Sequence, residues 1–491
     1  MNITHLLENI PYKKIDGILP ESITHITMDS RDVKEDSLFV CIKGYTVDGH
    51  NFAEQAAKNG ATVILSEKPL PEVQKAAVVI VEDTTRAIGS LAAKFYSYPS
   101  KEMQMIGVTG TNGKTSVAGM LHAMLMELGE KSALTGTIGF NLNGELYPSA
   151  NTTSDALTTQ QMIFRAKEEG CTHMSMEVSS HGLVLGRLAG VEFNTAIFTN
   201  LTHDHLDFHG TMEEYGHAKG LLFSQLGQNM AEKKQAVLNA DDPWSEQFAK
   251  MTPHPVYTYG VHNDAQFKAS NIDMDHRGTT FTLTCSEGEF PAAMRLLGHF
   301  NVSNALAAIT ALYAEGFALD DILAALSVIP PVEGRMQKVE VDAPITIFID
   351  YAHTPDAIEK ALNAVEDFKK NKVIFLVGTG GNRDKSKRPS MAEKASIADY
   401  VVLTTDDPRY EEYDSILGDL KVGMAHKNFA CIGDRAEAVR HAVQQAERGD
   451  IIILAGKGHE DYQIIESTKY PHSDKEIAIE EAKKKFQEKE A

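Results

Sequence analysis

The feature that most constrains the fold of this chain is an apolar run that ends abruptly in a glycine-bracketed Lys-Thr pair. The run is Met105–Thr109, and it is followed by Gly110, Thr111, Asn112, Gly113, Lys114, Thr115 and Ser116. A strand that leads through such a loop into a helix is typical of a phosphate cradle, because backbone N–H groups and the positive helix end can surround phosphates. Lys114 would then neutralise the terminal phosphates, and the Thr115 hydroxyl would face Mg²⁺.

The loop alone leaves two interpretations open. Val108 stands where the usual pattern has a glycine, and short Gly-Lys-Thr strings also occur in ordinary turns. The segment is therefore as compatible with a structural turn as with a nucleotide site until other residues are considered.

The size and charge of the chain limit the classes of function. Its 491 residues exceed what one hydrophobic core usually supports, so about three domains are expected. The 47 Lys and Arg residues against 68 Asp and Glu residues give a formal charge of -21, which argues against general affinity for nucleic acid or anionic membranes. Any anionic ligand must then be held by a local site.

The sequence predicts neither a membrane segment nor a disulfide framework. No stretch of about 18 apolar residues occurs, and the amino terminus has no basic stretch followed by an apolar core. The four cysteines are far apart and form no CxxC pair, so buried reduced thiols are the simpler expectation. We therefore expect a cytoplasmic protein without membrane insertion, acting as a monomer.

Apolar runs that alternate with helical periods predict an α/β protein. The expected domains are residues 1–99, 100–331 and 332–491. The central domain is expected to hold a P-loop-type parallel sheet, with a small β insertion between Val256 and Leu297 where apolar and polar positions alternate. Beyond Pro331, buried strands separated by helices predict a Rossmann-like, doubly wound domain, and the charged tail after Glu480 is expected to be frayed.

The same patterns locate individual elements. Helices are expected at Val117–Leu128 and Asn301–Glu315, and buried strands at Ala196–Thr199, Ile345–Ile349, Val373–Val377, Tyr400–Leu403 and Ile451–Leu454.

A second group of polar residues directly follows the predicted strand at Ala196–Thr199. The segment Asn200–His209 contains three histidines and two aspartates, at a strand end where α/β proteins bind ligands. It has no HExxH helix or other zinc spacing, so we favour Mg²⁺ held together with phosphates, with Glu177 as an oxygen ligand. For any single histidine, a structural role in satisfying loop backbone groups is an equal alternative.

Lys219 stands among apolar residues that could desolvate its amine and lower its pKa. A neutral amine can add carbon dioxide, and the resulting carbamate would be an anionic metal ligand. On physical grounds alone, a snorkelling surface lysine is the stronger alternative.

Three polar strings near the carboxyl end each follow a predicted strand. Because the carboxyl ends of parallel strands share one edge, the strings should bring two arginines together with acids that could recognise an amino acid's carboxylate and ammonium groups. Helix caps and solvated charges are an equal alternative for each string alone. The strings are Gly380–Lys385, Asp406–Arg409 and Gly456–Glu460.

Together, these motifs resemble those of the Mur ligases of bacterial peptidoglycan synthesis, over essentially the whole chain. Within that family they most resemble the members that add a diamino acid as the third residue of the peptide. The matching motifs, in family order, are Asp29-Ser30-Arg31, Gly110–Thr115, Asn151-Thr152-Thr153, Glu177–His181, Asn200–His209, Lys219, Gly334-Arg335, Asp350–Pro355 and Gly456–Glu460.

The resemblance implies a role for each matched residue. The UDP-linked muramoyl dipeptide would be bound by Ser30, Asn151, Thr152, Thr153, Ser179 and Arg187. Two Mg²⁺ ions would be held by Thr115, Glu177, His205 and a carbamate on Lys219, which with Lys114 form the catalytic group. ATP would be bound by the phosphate loop with Asn301, Arg335, Asp350 and His353. The incoming amino acid would be received by Arg383, Asp406, Asp407, Pro408, Arg409, Gly456 and Glu460.

The implied reaction joins an amino acid to UDP-N-acetylmuramoyl-L-Ala-D-Glu. Because a free carboxylate reacts poorly with an amine, ATP would first phosphorylate the D-Glu γ-carboxylate, and the amine would then displace phosphate from the acyl phosphate. Two Mg²⁺ ions and Lys114 would offset the clustered negative charge. Closure of the terminal domain would keep water from the acyl phosphate.

The identity of the added amino acid is left open by the motifs. Family members specific for meso-diaminopimelate carry Asp-Asn-Pro-Arg at Asp406–Arg409, so Arg409 favours that substrate, whose second carboxylate it could bind in a bidentate pair. Asp407 replaces the asparagine, and Tyr413 replaces a common proline. The added carboxylate could favour an ammonium group, so L-lysine is the alternative. A folylpolyglutamate synthetase-like ligase and a nucleotide-binding scaffold without turnover are more distant alternatives.

Overall fold

The computed structural model describes residues 1–44, 47–149, 151–275, 277–366 and 368–487. Within these ranges, three large β-sheets follow one another along the chain, and a two-stranded sheet lies near the carboxyl end. No helix in the described ranges is long and apolar enough to span a membrane.

Alternating side chains explain why helices cover both faces of the sheets. In the strand before the phosphate loop, Ile106 and Val108 belong to one buried hydrophobic cluster, while Met105 belongs to another. Neighbouring side chains of a strand point to opposite faces, so a continuous apolar run must be covered on both sides.

The first sheet is mostly parallel. Its strands are β1 (Tyr12–Asp16), β2 (His25–Thr27), β3 (Ser37–Val40), β4 (Ala61–Ser66) and β5 (Ala77–Val81). Their spatial order is β1-β5-β4-β3-β2, with β1 antiparallel to β5. The accompanying helices are α1 (Ile3–Leu7), α2 (Ala53–Asn59) and α3 (Thr84–Phe95), and short 3-10 turns lie at Gly49–Phe52 and Pro99–Glu102.

The central sheet is the largest. Its strands are β6 (Gln104–Thr109), β7 (Ser132–Thr135), β8 (Phe140–Leu142), β9 (Glu145–Tyr147), β10 (His173–Glu177), β11 (Thr195–Phe198), β12 (Gln235–Asn239), β13 (Val256–Gly260), β14 (Phe267–Asp275), β15 (Gly278–Cys285) and β16 (Gly288–Met294). Their order is β16-β15-β14-β13-β12-β11-β6-β10-β7-β8-β9. Strand β6 lies between β11 and β10 and is parallel to both, which places its carboxyl end in the middle of the sheet edge.

The helices of the central segment pack on both faces of this sheet. They are α4 (Lys114–Glu127), α5 (Ala156–Glu168), α6 (Ser180–Val184), α7 (Leu206–His209), α8 (Met212–Ser224), α9 (Trp244–Ala249), α10 (His299–Glu315) and α11 (Leu319–Val328).

The third sheet is doubly wound. Its strands are β17 (Gln337–Lys338), β18 (Thr346–Asp350), β19 (Val373–Val377), β20 (Tyr400–Leu403), β21 (Phe429–Cys431) and β22 (Ile451–Ala455). Their order is β17-β18-β22-β19-β20-β21, and all but β17 are parallel. The helices are α12 (Pro355–Glu366), α13 (Arg388–Ala395), α14 (Tyr413–Val422), α15 (Arg435–Gln445) and α16 (Asp474–Gln487), and the hairpin of β23 (Tyr462–Ile465) and β24 (Thr468–Pro471) precedes α16.

The predicted α/β architecture is confirmed. Strands β19 and β20 occupy the predicted residues, and the other predicted strands and helices are observed with ends shifted by one to three residues. The β-rich segment is present, and its strands β14, β15 and β16 extend the central sheet in antiparallel pairing. Each large sheet lies within the residue range of one predicted domain. The domain boundaries themselves stay a prediction.

The prediction of a frayed tail after Glu480 is wrong up to residue 487. Helix α16 continues through Gln487, and Ala478 and Ala482 are fully buried in the same hydrophobic cluster as Val439 of α15. The sequence conceals this packing because small alanines among charged residues look like a solvated helix. The last four residues, 488–491, lie outside the described ranges.

Replacing Ala482 by Asp should therefore destabilise the protein. The substitution places an unpaired carboxylate at a fully buried position, which costs about 3 kcal/mol of unfolding free energy. Urea denaturation measures the loss, and Lys483→Asp, on the exposed side of the same helix, is the matched control. Equal free energies of unfolding for the two variants would show that α16 does not pack as observed.

Candidate active site

The phosphate loop lies at the carboxyl end of β6 and leads into α4. Close packing explains its glycines. Gly110 has φ +151°, and a Cβ there would lie 1.8 Å from Thr199 Oγ1, while Gly113 has φ +90° with Asn304 Oδ1 at 2.5 Å from its Cβ position. No side chain caps the start of α4, so its first-turn N–H groups, including that of buried Ser116, have no intrahelical acceptor and can receive an anion.

The residues after β11 brace this loop. Thr111 N donates to the Asn200 carbonyl at 2.7 Å, and Asn112 N donates to Asn200 Oδ1 at 3.0 Å. Thr199 Oγ1 donates to the Asn112 carbonyl at 2.6 Å. The start of the polar segment Asn200–His209 thus supports the phosphate loop structurally.

Lys114 folds back over the loop. Its Nζ donates to the Gly110 carbonyl at 2.9 Å and to the Thr111 carbonyl at 2.8 Å. Burial lowers the pKa of Lys114, against the opposing effect of the Glu177 and Asp204 carboxylates. Two neutral acceptors hold this amine, and phosphate oxygens could replace them.

Thr115, Glu177 and Arg335 form one hydrogen-bonded chain. Thr115 Oγ1 donates to Glu177 Oε2 at 2.9 Å and accepts from Arg335 Nη2 at 2.8 Å. Thr137 N donates to the other Glu177 oxygen at 2.8 Å, and a Cβ at Gly136 would lie 2.1 Å from it. Glu177, at the end of β10, is therefore held tightly beside the first turn of α4.

Lys219 of α8 is almost completely buried, with 1% of its surface exposed. Its Nζ donates to the Gly110 carbonyl at 2.8 Å and lies 4.3 Å from the centre of the Tyr215 ring. Burial, followed by the charge of Lys114, holds the pKa of Lys219 well below its usual range. In the described ranges it forms no ion pair with a carboxylate, and only the charge of Asp204 opposes the effect of burial, so the site favours a neutral amine.

His205 begins α7 with a left-handed backbone, φ 54°, and its ring lies beside those of His181 and Tyr215. Burial lowers the pKa of His205 to about 3, and that of His209 to about 4, so both imidazoles are neutral near pH 7. Asp204 lies 3.5 Å from His205 Nε2. Among the described residues, no three His, Cys, Asp or Glu side chains converge on one metal position, and only two of the implied Mg²⁺ ligands are of those types.

Three residues implied for ATP use their polar atoms inside the protein: Asn301 and Asp350, expected at its adenosine end, and His353, expected near its phosphates. The Asn301 amide donates to the Leu297 carbonyl at 2.8 Å and is fully buried. Asp350 accepts from Met336 N at 2.7 Å and from Ala352 N at 2.8 Å, which shapes the turn that carries Arg335. His353 Nδ1 lies 2.9 Å from the Tyr351 carbonyl oxygen, and burial lowers its pKa to about 4.

Besides the Arg335–Thr115 hydrogen bond, two further contacts connect the phosphate loop region with the segment of the third sheet. The Asn112 amide donates to Asp356 Oδ2 of α12 at 2.7 Å. Lys387, just before α13, lies 3.6 Å from Asp204 Oδ1. Asp204 keeps a lowered pKa despite its burial, because its interactions with Lys387, His205, His353 and Lys114 together outweigh desolvation.

Four of the residues implied for the UDP-linked substrate meet in one network beside Glu177. Thr153 Oγ1 donates to the Glu177 carbonyl at 2.9 Å and accepts from Ser179 N at 3.0 Å, and Arg187 Nη1 donates to the Thr153 carbonyl at 2.9 Å. Thr152 reaches Thr137 Oγ1 at 3.0 Å. Asn151 is exposed nearby in sequence, and Ser30 lies after β2 of the first sheet, with no hydrogen bond joining it to this network within the described ranges.

The polar strings of the third sheet converge at its carboxyl edge. A Cβ at Gly380 would lie 2.9 Å from Arg409 Nη1 and 3.5 Å from Arg383 Cγ, so the two arginines approach the same glycine. A Cβ at Gly381 would lie 1.9 Å from the Pro408 carbonyl oxygen, and a Cβ at Gly456 would lie 2.5 Å from Asp406 Oδ1. The residues that the resemblance implies for the incoming amino acid are thus close together. Glu460 is joined to Asp407 through Lys457, whose Nζ donates to both carboxylates.

Sequence reasoning missed the buried cations that hold this edge. Arg435 is fully buried and donates to Asp406 at 2.5 Å and to Asp474 at 2.7 Å, while Lys457 donates to Asp407 at 2.9 Å. Arg388 is also fully buried, against Glu411. Each stands at or near a helix start or a polar loop, where a solvated charge is the usual expectation, so no local signal distinguishes them.

Family comparisons cover most of the chain. The description "Mur ligase family, catalytic domain" matches residues 22–96, "Mur ligase middle domain" matches residues 108–312, and "Mur ligase, glutamate ligase domain" matches residues 334–458. The three matches follow the order of the three large sheets.

Similar proteins match over almost the full length. A UDP-N-acetylmuramyl-tripeptide synthetase 2 of Oceanobacillus iheyensis is 48% identical over 98% of both chains. A UDP-N-acetylmuramoyl-L-alanyl-D-glutamate–L-lysine ligase of Staphylococcus haemolyticus is 45% identical over 99% of both. A solved structure of a UDP-N-acetylmuramoyl-L-alanyl-D-glutamate–2,6-diaminopimelate ligase is 32% identical over 99% of both, with a TM-score of 0.70. With its three sheets in family order and its phosphate loop at the central strand, this chain belongs to the Mur ligase family.

Proposed function

We propose that this ATP-dependent ligase joins meso-diaminopimelate to the D-Glu γ-carboxylate of UDP-N-acetylmuramoyl-L-Ala-D-Glu. The names of its relatives, a tripeptide synthetase and ligases for L-lysine and 2,6-diaminopimelate, support this class of reaction. The observation that carries the choice of amino acid is the placement of Arg409 beside Arg383 at the edge of the third sheet.

Arg409 suits a second carboxylate on the substrate. Its guanidinium is half-buried and donates to the carbonyls of Gly381 at 3.2 Å and Asp407 at 3.4 Å, while its distance to the Asp407 carboxylate is 3.6 Å. Burial lowers the pKa of Arg409, and so does repulsion by the positive charge of Arg383. A carboxylate ligand would relieve that repulsion, and lysine has no such group in its side chain.

The phosphate loop suits the first half of the reaction. Lys114 and the first-turn N–H groups of α4 would bind the ATP phosphates. Thr115 and Glu177 supply the hard oxygen donors that Mg²⁺ prefers, and the neutral imidazole of His205 could also bind a metal. Bound Mg²⁺ would offset negative charge as phosphate moves to the D-Glu carboxylate.

Lys219 fits a carbamylated residue. Burial strongly lowers the pKa of its amine, so the neutral amine can add carbon dioxide and release one proton, which converts a buried neutral group into an anion. Tyr215 packs against both Lys219 and His205, which places the two side chains on one side of the loop. The carbamate would serve as an oxygen ligand for Mg²⁺.

Water must be kept from the acyl phosphate. The Asn112–Asp356 hydrogen bond and the Lys387–Asp204 ion pair hold the amino-acid edge of the third sheet against the phosphate loop region. Such closure would shield the reacting carboxyl group until the amine arrives.

L-lysine is the second candidate amino acid. The staphylococcal relatives at 44–45% identity are named L-lysine ligases, and Asp407 adds a carboxylate at the amino-acid edge. A carboxylate there could attract the side-chain ammonium group that both amino acids carry.

Amino-acid selectivity is tested by phosphate release from ATP in the presence of the UDP-linked dipeptide and either amino acid. Arg409→Ala should lower kcat/KM for meso-diaminopimelate about 100-fold, because a charge-assisted bidentate pair is lost, and change the value for lysine by less than about threefold. Arg448→Ala, an exposed arginine before β22 at the opposite sheet edge, is the control and should change neither value. Faster turnover of lysine by the unmodified enzyme would assign lysine as the substrate, and no amino-acid-dependent release would refute the proposed reaction.

The role of Lys219 is tested by chemical rescue. Lys219→Ala should lose nearly all activity, because the anionic ligand is absent, and short-chain carboxylates should restore part of it. Lys114→Ala should lose activity without rescue, because a carboxylate cannot replace its positive charge. Full activity of untreated Lys219→Ala would refute the carbamate.

A further inference from the structure

Four charged side chains form a line of alternating sign at the amino-acid edge of the third sheet. Lys457 Nζ donates to Glu460 Oε2 at 2.5 Å and to Asp407 Oδ1 at 2.9 Å. Asp407 Oδ2 in turn lies 3.6 Å from Arg409 Nη2. We name this series, Glu460, Lys457, Asp407 and Arg409, the charge line.

The ammonium group inside the charge line is buried. Lys457 is 1% exposed, and its Nζ lies 4.9 Å from the centre of the Tyr462 ring. Burial lowers the pKa of Lys457, but Glu460 and Asp407 outweigh it and leave a raised pKa, so the group is charged. Removing one partner of such a buried pair would leave the other uncompensated.

Asp407 has few free positions for a substrate. It is 8% exposed, its Oδ1 accepts from both Lys457 Nζ and Ile464 N at 3.0 Å, and its Oδ2 faces Arg409. To bind at Asp407 Oδ1, a substrate ammonium group would have to displace the ammonium group of Lys457, which is part of the protein chain. The carboxylate is therefore occupied by the protein.

The backbone of Arg409 is held by the same segment. Arg409 has a left-handed backbone, with φ 52°. Its N–H donates to the Ile464 carbonyl at 3.1 Å, and its carbonyl accepts from Glu466 N at 2.8 Å. The β23–β24 hairpin thus fixes the main chain of Arg409 with two hydrogen bonds, and the Asp407 carboxylate faces the Arg409 guanidinium.

We infer that Lys457 is a specificity-determining residue, because it occupies the Asp407 carboxylate and keeps it from accepting a substrate ammonium group. This inference rests on the proposed function, since it concerns the diamino acid added there. Asp407 favoured L-lysine only as a free carboxylate for the substrate's ammonium group. Because Lys457 occupies that carboxylate, this argument for L-lysine no longer holds.

The experiment compares kcat/KM for meso-diaminopimelate and L-lysine in three variants, with phosphate release as the readout. Lys457→Met should lower the ratio of the two values about tenfold, because the freed Asp407 carboxylate would attract lysine's ammonium and repel the second carboxylate of diaminopimelate. Lys457→Met with Asp407→Asn should return the ratio to within about threefold of the unmodified enzyme, because an amide carries no charge. Glu460 is unchanged in both variants, so the difference between their ratios reports the effect of the Asp407 carboxylate alone.

Asp407→Asn alone covers the case in which Lys457→Met does not fold. The amide can still accept from Ile464 N, so the ratio should stay within about threefold and KM for ATP should not change. A loss of tenfold or more in kcat/KM for both amino acids would make Asp407 a direct substrate contact and overturn the inference.

Lys469→Met is the matched control. Lys469 lies over the same Tyr462 ring at 3.7 Å but is exposed and outside the charge line, so its loss should leave the ratio unchanged. An unchanged ratio in a folded Lys457→Met enzyme that turns over would overturn this inference alone. Absence of turnover with either amino acid in the unmodified enzyme would overturn the proposed function as well.

Discussion

The carbonyl oxygen of Gly110 is the point on which the phosphate site depends. Both Lys114 and Lys219 donate to it, at 2.9 Å and 2.8 Å, although they come from different helices. Two amines at one acceptor disfavour a second positive charge, and Lys114 accordingly lowers the pKa of Lys219. Only a glycine can present this carbonyl so close to Thr199, so strand end, loop and both lysines constrain one another.

The amino-acid edge depends on a different principle, the pairing of buried charges. Arg435 is enclosed between Asp406 and Asp474, and Lys457 between Asp407 and Glu460. A buried charge without a partner is costly, so these pairs tolerate few alternative arrangements. They hold the loops after β20 and β22 together beside Gly380, which both Arg383 and Arg409 approach.

Much of the fold was predictable because its signals are local. The run Val373–Val377 is apolar, short and bounded by polar segments, which is typical of a strand covered on both faces, and β19 has those residues. Helix α16 was missed because its buried stripe consists of alanines among charges. The turn from strand to helix at Gly110–Ser116 was predictable because its motif is contiguous. The hydrogen bond between Asn112 and Asp356 was not, because the two residues are 244 positions apart in the sequence.

Residue type and spacing were enough to establish the α/β class, the phosphate loop and the family, because each depends on neighbours along the chain. Which polar groups are available to a ligand was decided by packing. Asp407 looks in the sequence like an acceptor for an amine, yet the fold places Lys457 against it. The reason is physical: an ion pair is defined by distance and burial in space, and neither can be derived from the order of residues when the partners lie on separate loops of one sheet edge.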